Sequence, residues 1–130
     1  MKDCIFCKIG NNEAPSHKIW ENKDFVAFLS IFPEVEGMTL VIPKKHENSY
    51  FLEVDKKVLN NLIEAAKTVS RLLDKNLEGV SKTKLVFEGL EIDHLHAKLY
   101  PMYRDGGHVF TKIERADDKV LADLAKKIRG

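Results

Sequence analysis

The sequence predicts an α+β fold in which an antiparallel sheet is covered by one long helix and a C-terminal helix. Three observations predict it. Short runs with strand character fall into two groups, one on each side of a single long helical stretch. That stretch, starting near Asp55, carries apolar residues at spacings of three and four. The order strands, helix, strands, helix argues against alternating βαβ units. A length of 130 residues fits one domain, 1–130, with a real hydrophobic core.

In chain order, residues 4–10 are short and apolar enough for one helical turn, and 11–16 form a polar loop. Residues 17–20 and 25–31 read as two strands of a hairpin, joined by the turn Glu21-Asn22-Lys23-Asp24. Residues 33–37 break the pattern, and the β-rich run 38–42 is closed by Pro43. Asp55 can cap the long helix, with Val54 stapled to Leu59. Val58, Leu62, Ala65, Ala66, Val69, Leu72 and Leu73 form its core stripe. Leu77 falls in the frayed end, and Gly79 stops the run. Strands follow over 84–88 and 94–102, then a break at Gly106-Gly107. The last helix starts near Asp118 with Asp117 as cap, and Val120, Leu121, Leu124, Ala125 and Ile128 share its apolar face.

Composition excludes some functions. The balance of 44% hydrophobic and 32% charged residues is that of an ordinary soluble domain. A net charge of +1 gives no push toward nucleic acid or a membrane surface, although Lys44-Lys45-His46 can meet a phosphate. No apolar run approaches the ~20 residues of a membrane helix, and the N-terminus lacks the apolar stretch of a secretory leader. The expectation is a cytoplasmic protein.

Chemistry concentrates in Asp93-His94-Leu95-His96-Ala97-Lys98-Leu99-Tyr100-Pro101. On a strand, His94, His96 and Lys98 line one face, about 6.5–7 Å apart, and Leu95, Ala97 and Leu99 line the other. Histidine titrates near neutrality, so two in register invite a catalytic reading; a polar outer strand face is the plainer one. Cys4-x-x-Cys7 brings two thiols together near the N-terminus. Zinc with histidines completing the set, a redox dithiol, and two buried apolar cysteines all fit that spacing. His17, His108 and Arg104 read as surface residues.

Four ordered segments resemble the histidine-triad family of nucleotide hydrolases and transferases. They are Cys4-Ile5-Phe6-Cys7-Lys8-Ile9, Phe28-Leu29-Ser30-Ile31-Phe32-Pro33, the run from Gly37 through Pro43 to His46, and His94-Leu95-His96-Ala97-Lys98-Leu99-Tyr100-Pro101. The resemblance implies a sheet of about five antiparallel strands, a homodimer, and a structural zinc held by Cys4, Cys7, His46 and His94. It implies that His96 attacks the α-phosphorus of a nucleotide, forming a nucleotidyl-histidine that water hydrolyses. Phe28, Ser30, Ile31 and Phe87 fall at positions that contact the nucleoside or line the site. The chain departs from the family at Lys98, which replaces the third histidine and is expected to hold the α-phosphate and favour dinucleoside polyphosphates. Ser30 replaces an acidic ribose contact, and Phe87 an asparagine. The loop 88–93 lacks the residue that assists the leaving group; Glu91 and Asp93 are the acids near it, and their charge beside a phosphate is unfavourable. A hydrolase is thus the first expectation. A nucleotide-binding module with weak turnover is the second, and a zinc-stabilised interaction domain the third.

Overall fold

A computed structural model describes residues 3–130. Met1 and Lys2, part of the N-terminal stretch discussed above, lie outside the described residues. A short helix α1 (Ile5–Gly10) leads into strands β1 (Lys18–Glu21), β2 (Phe25–Leu29) and β3 (Thr39–Pro43). The long helix α2 (Lys56–Asn76) follows, then β4 (Val80–Phe87), β5 (Ala97–Tyr103) and α3 (Asp118–Arg129). The five strands form one antiparallel sheet in the order β1-β2-β3-β5-β4.

Both long helices start where a side chain replaces a missing backbone partner. The Asp55 carboxylate accepts from the Lys57 N–H, and that of Asp117 from the Val120 N–H. The α2 stripe Leu62, Ala65, Ala66, Val69 and Leu73 is buried in the main core with Ala27, Leu29, Val41, Ala97 and Leu99 of the sheet. Helix α3 adds Leu121, Ala125 and Ile128 to the same core. Alternate residues of β2 and β3 point the other way. Val26, Phe28 and Ile42 join Phe6 and Ile9 of α1 in a second, smaller cluster. Helix α1 has six residues, too few to persist as an isolated helix, so this packing holds it.

Four expectations are corrected. Leu77 is not frayed: it caps α2 and is buried, and the chain turns at Gly79 (φ +83°) straight into β4, four residues earlier than the apolar pattern suggests. Val120 is 59% exposed, because the α3 stripe contacts the core only through Leu121, Leu124, Ala125 and Ile128. The second strand ends at Leu29, leaving Ser30 and Ile31 in the following turn. Most consequentially, β5 begins at Ala97, not at His94. Its partners run out there, since Val41 and Phe87 are the last residues paired opposite Ala97. Upstream, the His94 N–H bonds to the Ile92 carbonyl and the Leu95 N–H to the Glu47 carbonyl. These bonds form a bend rather than a ladder.

Candidate active site and metal centre

The bend sends the two histidines to different places. His94 is fully buried, and its Nδ1 lies 3.3 Å from Cys4 Sγ and 3.5 Å from Cys7 Sγ. His46, on the loop after β3, brings its Nδ1 to 3.4 Å from Cys7 Sγ. The four donor atoms all lie within 4.8 Å of one another. A tetrahedral ion with bonds of ~2.0–2.3 Å needs donor separations of roughly 3.3–3.8 Å, and the Cys4–His94, Cys7–His94 and Cys7–His46 separations fall in that range. The protonation pattern also fits. The Pro43 carbonyl, 2.7 Å from His94 Nε2, can only accept, so Nε2 carries the hydrogen and Nδ1 presents a lone pair to the cluster. Cys4, Cys7, His46 and His94 therefore form a group able to bind a metal.

His96 is 5% exposed and lies on the same face as His94, the face that packs against Phe6, while Leu95, Ala97 and Leu99 lie in the main core. Its Nδ1 donates to the carbonyl oxygen of His94 at 2.7 Å, which leaves Nε2 unprotonated. Burial, with the nearby Lys98 charge, holds its pKa below the usual histidine value against the pull of that hydrogen bond. The ring is thus neutral at pH 7, the form a nitrogen nucleophile needs. Phe6 stands between the two sites, its ring edge-to-face with His94 at 5.8 Å, His96 at 5.2 Å and Phe28 at 5.7 Å.

His96 lines a cavity of about 430 Å³, in the range of small-molecule sites. Phe6, Ile9, Phe28, Ile31, Leu40 and Ile113 give it apolar walls, and Ser30 and Lys98 line it as well. The Ser30 hydroxyl accepts from the Phe32 N–H at 3.2 Å and keeps its own hydrogen for donation. Lys98 is not a free counter-charge: its Nζ lies 2.7 Å from Glu88 Oε1. Glu34 and Glu91 line the same cavity.

Phe87 does not line the cavity. It sits opposite Ala97 in the β4–β5 register, and cross-strand partners share a face, so its side chain goes to the α2 side and stacks on Phe51 at 6.3 Å. Of the other histidines, His17 bonds to Asp118 and His108 to Glu36, both apart from the cavity. Phe6, Glu34 and Ile113 are cavity residues that sequence reasoning missed. The three-residue spacing of Phe6 and Ile9 on one turn was a usable signal; nothing local marks Glu34 or Ile113.

Comparison with known proteins agrees with this geometry. The HIT domain profile matches residues 11–105. The chain belongs to the HIT domain family. It is 34% identical over 131 residues to an uncharacterized HIT-like protein of Methanocaldococcus jannaschii, covering 98% of this chain and 99% of that one. It is 35% identical over 98 residues to an adenosine 5'-monophosphoramidase of Saccharomyces cerevisiae, covering 75% and 61% respectively. Among solved structures, a hypothetical histidine triad nucleotide-binding protein of Sulfolobus tokodaii superposes with a TM-score of 0.85 at 31% identity, over 97% of this chain and 89% of that one. The fold is thus the α+β HIT fold, and the matched segment contains His46, His94, His96 and Lys98.

Proposed function

We propose that this HIT protein is a nucleotide hydrolase that cleaves a phosphoanhydride or phosphoramidate bond at an α-phosphorus. The observation that carries the reading is the state of His96: a buried neutral imidazole with its Nδ1 hydrogen committed to His94 and its residue lining a nucleoside-sized cavity. Nε2 attacks the α-phosphorus, the N–P bond forms and the bond to the leaving group breaks. Water then attacks the nucleotidyl-histidine and releases the nucleoside monophosphate. The apolar walls at Phe28 and Ile31 suit a base and the Ser30 hydroxyl a ribose. The phosphoramidase activity named for the yeast relative supports the same reaction class.

Cys4, Cys7, His46 and His94 would hold zinc. When bound, zinc would supply a cross-link between α1, the loop after β3 and the bend before β5. The protein works as a homodimer in the cytoplasm in this reading; the unpaired edge of β4 is open to a second copy. Among the described residues, no helix is long and apolar enough to cross a membrane. A second reading, a nucleotide-binding module with weak turnover, draws support from the Lys98–Glu88 pair, which ties up the cavity's lysine.

Incubation with adenosine phosphoramidate or a diadenosine polyphosphate tests the proposal. A phosphorus-labelled protein adduct that disappears in His96→Ala, together with monophosphate release, is the expected result. Nucleotide binding without release supports the module instead, and absence of both refutes the nucleotide reading.

A further inference from the structure

The cavity wall carries more acidic than basic side chains. Among the described residues, three carboxylates, Glu34, Glu88 and Glu91, line it with a single ammonium, Lys98. That ammonium is mostly covered, with a side chain 17% exposed, and Glu88 already holds it at 2.7 Å. Glu34 is bonded to the Tyr100 hydroxyl rather than to a cation, and neither Glu34 nor Glu91 makes an ion pair among the described residues. The pair is set by the sheet. Lys98 is paired opposite Val86, and Glu88, two residues beyond Val86 and just past the end of β4, is its diagonal neighbour on the same face.

We propose that Glu88 is a specificity-determining residue that, by occupying the Lys98 ammonium, makes the site select nucleotides by charge. It admits a singly charged α-phosphoryl group whose leaving group carries no phosphate and disfavours polyphosphate chains. The inference rests on the nucleotide reading and deepens it. It also reverses the expectation that Lys98 favours dinucleoside polyphosphates. Any phosphate oxygen approaching Lys98 competes with a carboxylate already in contact, and each further phosphate adds repulsion from the lining acids. Loss of the Glu88 charge frees the ammonium, and the gain grows with the charge of the ligand.

The test compares wild type, Glu88→Gln and Glu88→Asp. Calorimetry measures the binding of adenosine mono-, di- and triphosphate, at low salt and at high salt. Wild-type affinity is expected to stay level or fall as phosphates are added. In Glu88→Gln the triphosphate-to-monophosphate affinity ratio rises by about tenfold at low salt and shrinks at high salt, and Glu88→Asp keeps the wild-type order. A purely structural role for Glu88 would weaken all three ligands together. A ratio that stays within about twofold of wild type, or moves toward the monophosphate, overturns the inference while leaving the nucleotide reading intact. Failure of wild type and both variants to bind any of the three overturns that reading and this inference with it.

Discussion

Truncation of Phe6 to alanine tests how the Cys4, Cys7, His46 and His94 cluster and the cavity depend on one another. Phe6 is 4% exposed, lines the cavity and touches the rings of Phe28, His94 and His96. Burial of a phenylalanine and the void left on truncation together are worth about 3–5 kcal/mol. Three edge-to-face contacts place this site at the upper end of that range. For a chain of 130 residues, each kcal/mol moves the unfolding midpoint by roughly 3–5 °C, so the midpoint should fall by about 15–25 °C. Helix α1 is held largely by Phe6, Ile9 and its cluster residues, so the loss should fall first on the N-terminal turn. Urea unfolding of wild type, Phe6→Leu and Phe6→Ala, with metal content measured on the same samples, is the assay. The alanine variant should lose stability and metal together, and the leucine variant should keep most of both. A loss below about 1.5 kcal/mol with metal content unchanged would refute the view of Phe6 as the wedge between the sites.

Elemental analysis of unchelated protein should find close to one zinc per chain; less than about half an equivalent would count against the four-residue site. Chelation, or Cys7→Ser, should lower the unfolding midpoint by releasing α1, and an unchanged midpoint after complete metal removal would argue that packing alone holds the helix. Alkaline stability should depend on Tyr103, whose pKa burial pushes up from 10.0 to about 12. The unfolded chain then loses its phenolic proton first, so the stability present below pH 10 is lost as pH rises through about 12. That rise is worth about 3 kcal/mol, and Tyr103→Phe should flatten the urea-midpoint profile over this range.

The parts of the fold legible in the sequence are those that depend on neighbours within a few residues. Asp55 and Asp117 cap helices because their carboxylates reach N–H groups two and three residues ahead. The α2 stripe is a local periodicity, and β1 pairs with β2 as the hairpin turn Glu21-Asn22-Lys23-Asp24 suggests. Cys4-x-x-Cys7 marked two of the cluster residues, while His46 and His94 entered through the family resemblance, since nothing near them in sequence announces a shared centre. What was hidden is cross-strand register. Phe87 read as a cavity residue because its side of the sheet is fixed by pairing with Ala97, ten residues away. The Glu88 partner of Lys98 was hidden for the same reason. Glu34 reaches Tyr100 across 66 positions, a separation at which no local pattern carries information.

The alternation of faces holds through His94, with Leu95, Ala97 and Leu99 in the main core and both histidines against Phe6. It is the early end of the ladder at Ala97 that lets one segment serve two sites. Had the ladder continued to His94, the two rings would stand in regular strand geometry about 6.5–7 Å apart. The His94 carbonyl would lie in the plane of the sheet, directed at a neighbouring strand. With the strand starting at Ala97, the His94 ring turns to the thiols, its Nε2–H goes to Pro43, and its carbonyl is left to accept the Nδ1–H of His96. A single residue thus joins the cysteine–histidine cluster through its side chain and fixes the tautomer of the proposed nucleophile through its backbone. Substitution of the His94 side chain removes a cluster ligand but cannot remove the carbonyl. Disturbance of the bend, by contrast, reaches both sites at once. Stability and metal loss on the one hand, and loss of the nucleotidyl adduct on the other, are therefore separable in His94→Ala in a way they are not in a variant that straightens residues 92–95.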